Sequence, residues 1–261
     1  MKIYIMTDLE GISGVSSASY ISAARNRPDL IVEARKFMAG DINACVEGCV
    51  RGGATEIIVK DCHAGGFNVT REMIDPRADF IAGSTPGIRF ADIEGSDGLI
   101  LLGYHAKAGT PGAVCEHTMS SIGWQNAWVN GRSIGEIGID AYIAGEHGVP
   151  VIMVSGDDKA CKEAGEWLPE ALLCQVKKGF SCGGARMPSF EKTRALITEC
   201  AEKAVLKAKN CPVLKPETPV TFKLEMVSRS RMPVNPAYKA LDARTWELTA
   251  ESMEKALFFN W

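Results

Sequence analysis

Residues 2–11 read KIYIMTDLEG: an apolar run of strand length ends in Asp8-Leu9-Glu10 and is halted by Gly11. The plan then repeats. Residues 55–63 read TEIIVKDCH, residues 99–105 read LILLGYH, and residues 150–158 read PVIMVSGDD. Each apolar run has the length and β-forming character of a buried strand, and each runs into polar residues at its carboxyl end. Segments of helical period lie between them. Ile31, Arg35, Met38, Ile42, Cys45 and Cys49 recur at steps of three and four, which predicts an amphipathic helix closed by Gly52-Gly53. Further helices are predicted near 134–147, 158–168 and 189–209. Strands are expected at 172–178, 219–226 and 244–249, and a last helix over 250–259.

Strands alternating with helices imply parallel βαβ units. The expected fold class is therefore α/β, a three-layer α/β/α sandwich with a mainly parallel sheet and a smaller C-terminal α+β subdomain. Pro212, Pro216 and Pro219 break the chain, which places the boundary between a metal-binding catalytic domain at 1–211 and the subdomain at 212–261. The sequence has no internal repeat and no low-complexity segment.

The chain has 261 residues, 46% of them hydrophobic and 23% charged, with a net charge of −3 and no basic stripe. Nucleic acid is not expected as a partner, because phosphate binding needs clustered Lys and Arg. Asp8 and Glu10 interrupt any apolar run that a secretory leader would need, and no stretch has the roughly 18 apolar residues of a membrane span. The nine cysteines are scattered with no CxxC pair, which argues against a thiolate metal site and for reduced thiols in a cytoplasmic protein.

In open α/β sheets, ligands bind outside the carboxyl ends of the strands. Here those ends carry Asp8 and Glu10, then His63, then His105, which would gather at one sheet edge. Side chains alternate along a strand, so Asp8 and Glu10 point the same way. Two such carboxylates repel unless a cation neutralises them, and mixed carboxylate and imidazole donors suit zinc. Each residue also has an ordinary alternative. Asp8 and Glu10 could cap a helix, His63 could be a turn histidine, and His105 could be a core histidine bonded to a carbonyl. His117 follows a glycine- and proline-containing loop that could return it towards His105 or leave it in solvent. Glu136 sits at a predicted helix start, where acidic residues complement the dipole. His147 is read as a helix-end cation, and Asp158 as the cap of the helix that follows it.

Taken together, the motifs resemble those of the zinc-dependent D-aminopeptidases of the bacterial dipeptide-transport type. The resemblance runs through Asp8–Gly14, Lys60–His63, Leu102–Ala108, Thr110–Gly112, His117–Met119, Gly135–Gly138 and Gly156–Asp158, and fades after about residue 180. It implies a site of two Zn2+ ions per subunit held by Asp8 (the bridge), Glu10, His63, His105 and Glu136, with His117 as the catalytic side chain. It also implies hydrolysis of short peptides or amides carrying an N-terminal D-amino acid, and a homo-oligomer in the form of a ring-shaped decamer. One departure is Glu116 directly before His117, where the resemblance implies a small residue. The rival readings are another two-metal hydrolase, such as a phosphoesterase, and a non-catalytic metal-dependent binding protein.

Overall fold

The computed structural model describes residues 1–22, 27–233 and 236–258. The chain opens with β1 (Lys2–Thr7), α1 (Pro28–Arg51), β2 (Glu56–Asp61), β3 (Asp79–Ile81) and β4 (Gly98–Leu102). Next come β5 (Trp124–Val129), β6 (Arg132–Ser133), α2 (Glu136–Glu146), β7 (Val151–Asp157) and α3 (Asp158–Trp167). β8 (Leu172–Ser181), β9 (Gly184–Arg186), α4 (Phe190–Lys207), β10 (Val220–Met226), β11 (Lys239–Ala240), β12 (Thr245–Ala250) and α5 (Met253–Phe258) complete it. Residue 259, the end of the predicted last helix, lies outside the described residues.

The main sheet runs β3-β2-β1-β4-β7-β8-β9, parallel except for the β8–β9 hairpin. β1 lies near its middle, with Ile3 opposite Ile57 of β2 and Gly98 of β4. Such a strand is covered on both faces, which is why its sequence is continuously apolar. Ile3 and Ile5 pack with Met38, Ile42, Ile197 and Ala201 from α1 and α4. Tyr4 and Met6 join the opposite core, with Ile137 of α2, Ala164 of α3 and Phe222 of β10. The expected mainly parallel α/β layering is therefore present.

Two local readings change. The buried stripe of α1 runs through Ala34, Met38, Ile42, Cys45 and Cys49, whereas Arg35 is exposed. The cap of α3 is Asp157, whose side chain accepts from the backbone N–H groups of Lys159 and Ala160, and Asp158 is the first helical residue.

A second, antiparallel sheet of order β11-β12-β10-β5-β6 packs on the α2 side. β5 was not expected, because WQNAWV mixes polar and apolar residues without a clean alternation. Asn130 (φ 48°) and Gly131 (φ 80°) make the tight turn into β6. This sheet thus draws on residues 124–133 as well as on 220–250. Among the described residues, no helix is long and apolar enough to cross a membrane.

Candidate metal centre

The segments after β1 and β4 cross at backbone contact. The Gly11 N–H donates to Gly103 O (2.7 Å) and the Asp8 N–H to Leu102 O (2.9 Å). A Cβ on Gly11 would lie 2.0 Å from Tyr104 O, and one on Gly103 would lie 2.5 Å from Asp8 O. Gly103 also has φ of +76°, so both positions need glycine. From β8, the buried Lys177 fastens the same crossing, its Nζ donating to the carbonyls of Glu10 (2.6 Å), Ile12 (2.9 Å) and Val15 (2.6 Å).

The six side chains singled out from the sequence come together here. His63 Nδ1 lies 3.1 Å from Asp8 Oδ1 and 2.9 Å from Glu10 Oε2. His105 Nε2 lies 3.4 Å from Asp8 Oδ2 and 3.2 Å from Glu136 Oε1, and His117 Nε2 is 3.6 Å from that same Glu136 oxygen. Two triads of donor atoms result, Asp8-Glu10-His63 and His105-His117-Glu136, each confined within 4.8 Å. Asp8 faces both, one oxygen to each.

The electrostatics call for positive charge. Burial favours the protonated form of Glu136, but His105 and His117 outweigh it and hold the carboxyl at about 2. Glu10 is likewise held well below its usual range by His63, against its burial. Burial works to lower the His63 and His105 imidazoles, and the surrounding carboxylates overcome it and raise both well above their ordinary value. His105 Nδ1 donates to Ala106 O at 3.0 Å, which leaves Nε2 a lone pair. That buried Nε2 has no hydrogen-bond partner and confronts two carboxylates. Only a proton or a metal ion can sit there, and the imidazole and carboxylate donors match zinc.

The remaining elements hold this geometry in place. The loop between His105 and His117 is tied back by the Val114 N–H to Asp157 Oδ2 (2.8 Å) and by the Gly109 N–H to Glu116 Oε2 (2.5 Å). Glu116, the departure from the expected pattern, is therefore occupied in closing its own loop. The His63 turn is held by Asn68, which donates to Asp61 Oδ2 and to His63 O. Beneath the site, Arg89 pairs bidentately with the buried Asp140 of α2 (both bonds 2.8 Å), and the Tyr104 hydroxyl donates to Asp140 Oδ2 at 2.5 Å. Asp140 stands one turn after Glu136 and Tyr104 directly before His105. Lys177, Arg89 and Asp140 were not foreseen, since nothing local in the sequence marks a long-range partner. His147 stays apart at the C-terminus of α2, beside Glu94 and Glu254.

A cavity of about 650 Å³ opens onto the cluster. Asp8, Glu10, His63, His117 and Glu136 line it, whereas His105 does not and is 1% exposed.

A family model described as Peptidase_M55, D-aminopeptidase, matches residues 1–260. A D-aminopeptidase of Bacillus subtilis (strain 168) is 36% identical over 223 residues, which cover 84% of this chain and 78% of that protein. A solved structure described as the Zn-dependent D-aminopeptidase DppA from Bacillus subtilis, a self-compartmentalizing protease, matches with a TM-score of 0.90 at 31% identity. That match covers 99% of this chain and 95% of the other.

Proposed function

The chain belongs to the D-aminopeptidase family Peptidase_M55, and from that premise we propose that Asp8, Glu10, His63, His105 and Glu136 hold two zinc ions, with Asp8 as the bridge. Family membership makes the protein a peptidase. The zinc dependence of its structural relative and the orphaned Nε2 of His105 support zinc as the metal. Zinc held there would polarise the scissile carbonyl and bring the pKa of a water down to about 7.

The observation that carries the assignment of roles is the difference between the two stacked histidines: His105 is sealed, whereas His117 faces the cavity. His117 Nδ1 donates to Cys115 O at 2.9 Å, which makes Nε2 the basic atom. His117 then takes the proton of the attacking water at Nε2 and returns it to the leaving amine. The preference for an N-terminal D-residue follows from the family, as does the small-peptide substrate. The phosphoesterase and binding-protein alternatives draw no support from that family.

The chain is further read as a homo-oligomer in the form of a ring-shaped decamer, in keeping with the relative described as self-compartmentalizing. A cytoplasmic location fits nine free cysteines, which persist in a reducing compartment. Zinc analysis of the purified protein, beside hydrolysis of D-alanine and L-alanine amides, tests the proposal. Zinc-free active protein would sink the metal centre, and equal rates on the two enantiomers would remove the D preference.

A further inference from the structure

The cavity contains a charge that the proposed chemistry leaves unused. Lys60 lies on β2, three residues before His63, and lines the same cavity while only 5% exposed. Its Nζ donates to Thr85 Oγ1 at 2.5 Å and to Arg89 O at 2.7 Å, with Ile88 O at the 3.5 Å limit. All three are neutral oxygens. Thr85 already gives its hydroxyl proton to Ile88 O (2.7 Å), so it serves Lys60 only as an acceptor.

Among the described residues, Lys60 has no carboxylate within ion-pair distance, and the two nearby acids are committed elsewhere. Asp140 takes both arms of Arg89 and the Tyr104 hydroxyl. Glu254 receives the Arg89 N–H at 3.1 Å and faces His147 Nε2 at 3.4 Å. Burial of this ammonium, with Arg89 nearby, pulls its pKa down to about 8, as expected of a cation without a counter-charge. Lys177 is also held by neutral oxygens, but it does not line the cavity and acts as a fastener of chain. Lys60 differs by standing at the cavity wall with its third donor weakly engaged.

A short peptide brings two poles, an amino end and a carboxylate end, about two residue lengths or roughly 7 Å apart in a dipeptide. We propose that Lys60, presented by Thr85 and the Arg89 carbonyl, binds the C-terminal carboxylate of the substrate whose amino end sits at the metal centre. This rests on the aminopeptidase reading and adds to it a carboxylate subsite at the cavity wall, on the same cavity as the metal-ligand candidates. A hydrogen bond from an ammonium to a carboxylate is roughly twice as strong as one between neutral groups, and the Lys60 ammonium has already lost its water on folding.

The test compares kcat/KM for D-alanyl-glycine and D-alanyl-glycinamide, which differ only in that carboxylate. Zinc-loaded wild-type protein is expected to favour the free acid about ten- to hundredfold, the range a charge-assisted hydrogen bond supplies. Lys60→Met should bring the ratio towards one, and Lys60→Arg should keep most of it. Equal wild-type rates on the two substrates overturn the inference without needing any variant, and so does a Lys60→Met protein that keeps the preference. Absence of turnover on both substrates overturns the peptidase reading itself, and this inference with it.

Discussion

The imidazoles of His105 and His117 lie face to face, 4.1 Å between ring centroids and 9° from parallel. Each donates from Nδ1 to a backbone carbonyl, so both turn Nε2 towards Glu136. One ring is closed off from the cavity and the other lines it. Two residues of the same type, in contact, thus stand in different surroundings, and the roles proposed for them differ accordingly.

Replacing each histidine by alanine should separate those roles. His117→Ala is expected to lower kcat by about 10²- to 10⁴-fold, the usual worth of a positioned general base, while zinc content stays near that of the wild type. His105→Ala is expected to lose zinc as well as activity. Metal analysis beside steady-state kinetics reads both, and a fully active His117→Ala protein would refute its role.

Removal of metal should lower thermal stability. Zinc that binds the native but not the unfolded state adds about 4 kcal/mol when it is present at a thousand times its Kd. Chelation should therefore lower Tm and readdition of zinc should restore it, by calorimetry. An unchanged Tm would argue that the carboxylates and imidazoles are satisfied without an ion.

The Arg89–Asp140 pair joins the loop before β4 to α2 beneath the site. Arg89→Met leaves the buried Asp140 carboxylate unpaired, which should cost about 3–5 kcal/mol. Tyr104→Phe, which removes one of three bonds to that carboxylate, should cost less. Urea unfolding of the three proteins checks the order.

Asp41 supplies a pH signature outside the metal centre. Burial raises its carboxyl to about 6 from an ordinary 3.8, against bonds donated by the Ser13 N–H and hydroxyl. Between those values the native state holds a proton that the unfolded chain has lost. The contribution of this group is therefore fully present at low pH and declines as pH rises through about 6, by roughly 3 kcal/mol in all. The stability of the wild type relative to Asp41→Asn should fall as pH rises from 4 to 7, and a flat difference would contradict the raised value.

Much of this was legible in the sequence because the decisive signals were local. β1, β2 and β4 are apolar runs whose ends carry acids or histidines, and position at a strand end is enough to bring Asp8, Glu10, His63 and His105 to one edge. Glu136 and His117 needed the family resemblance, since a helix-start acid and a loop histidine have ordinary explanations. The hairpin of β5 and β6 went unread although Asn130-Gly131 announces its turn, because WQNAWV carries no alternation. Arg89, Asp140 and Lys177, and the partners of Lys60, were out of reach for a different reason: the bonds these residues make span 25 to 167 positions of the chain. Asp157 displaced Asp158 as the helix cap by one residue, the usual margin of a boundary read from sequence.

The fastening of the β1 crossing by Lys177 also has a consequence in time. A ribosome delivers the chain from the amino end at about 5–20 residues per second. All six residues of the cluster, from Asp8 to Glu136, are synthesised before Lys177, which follows about 40 residues later. For several seconds the nascent protein carries every donor atom without the ammonium that holds Glu10 in place. Completion of the candidate metal centre thus depends on a strand born after it, so a stall between codons 136 and 177 would leave all six side chains of the cluster on an unfinished scaffold.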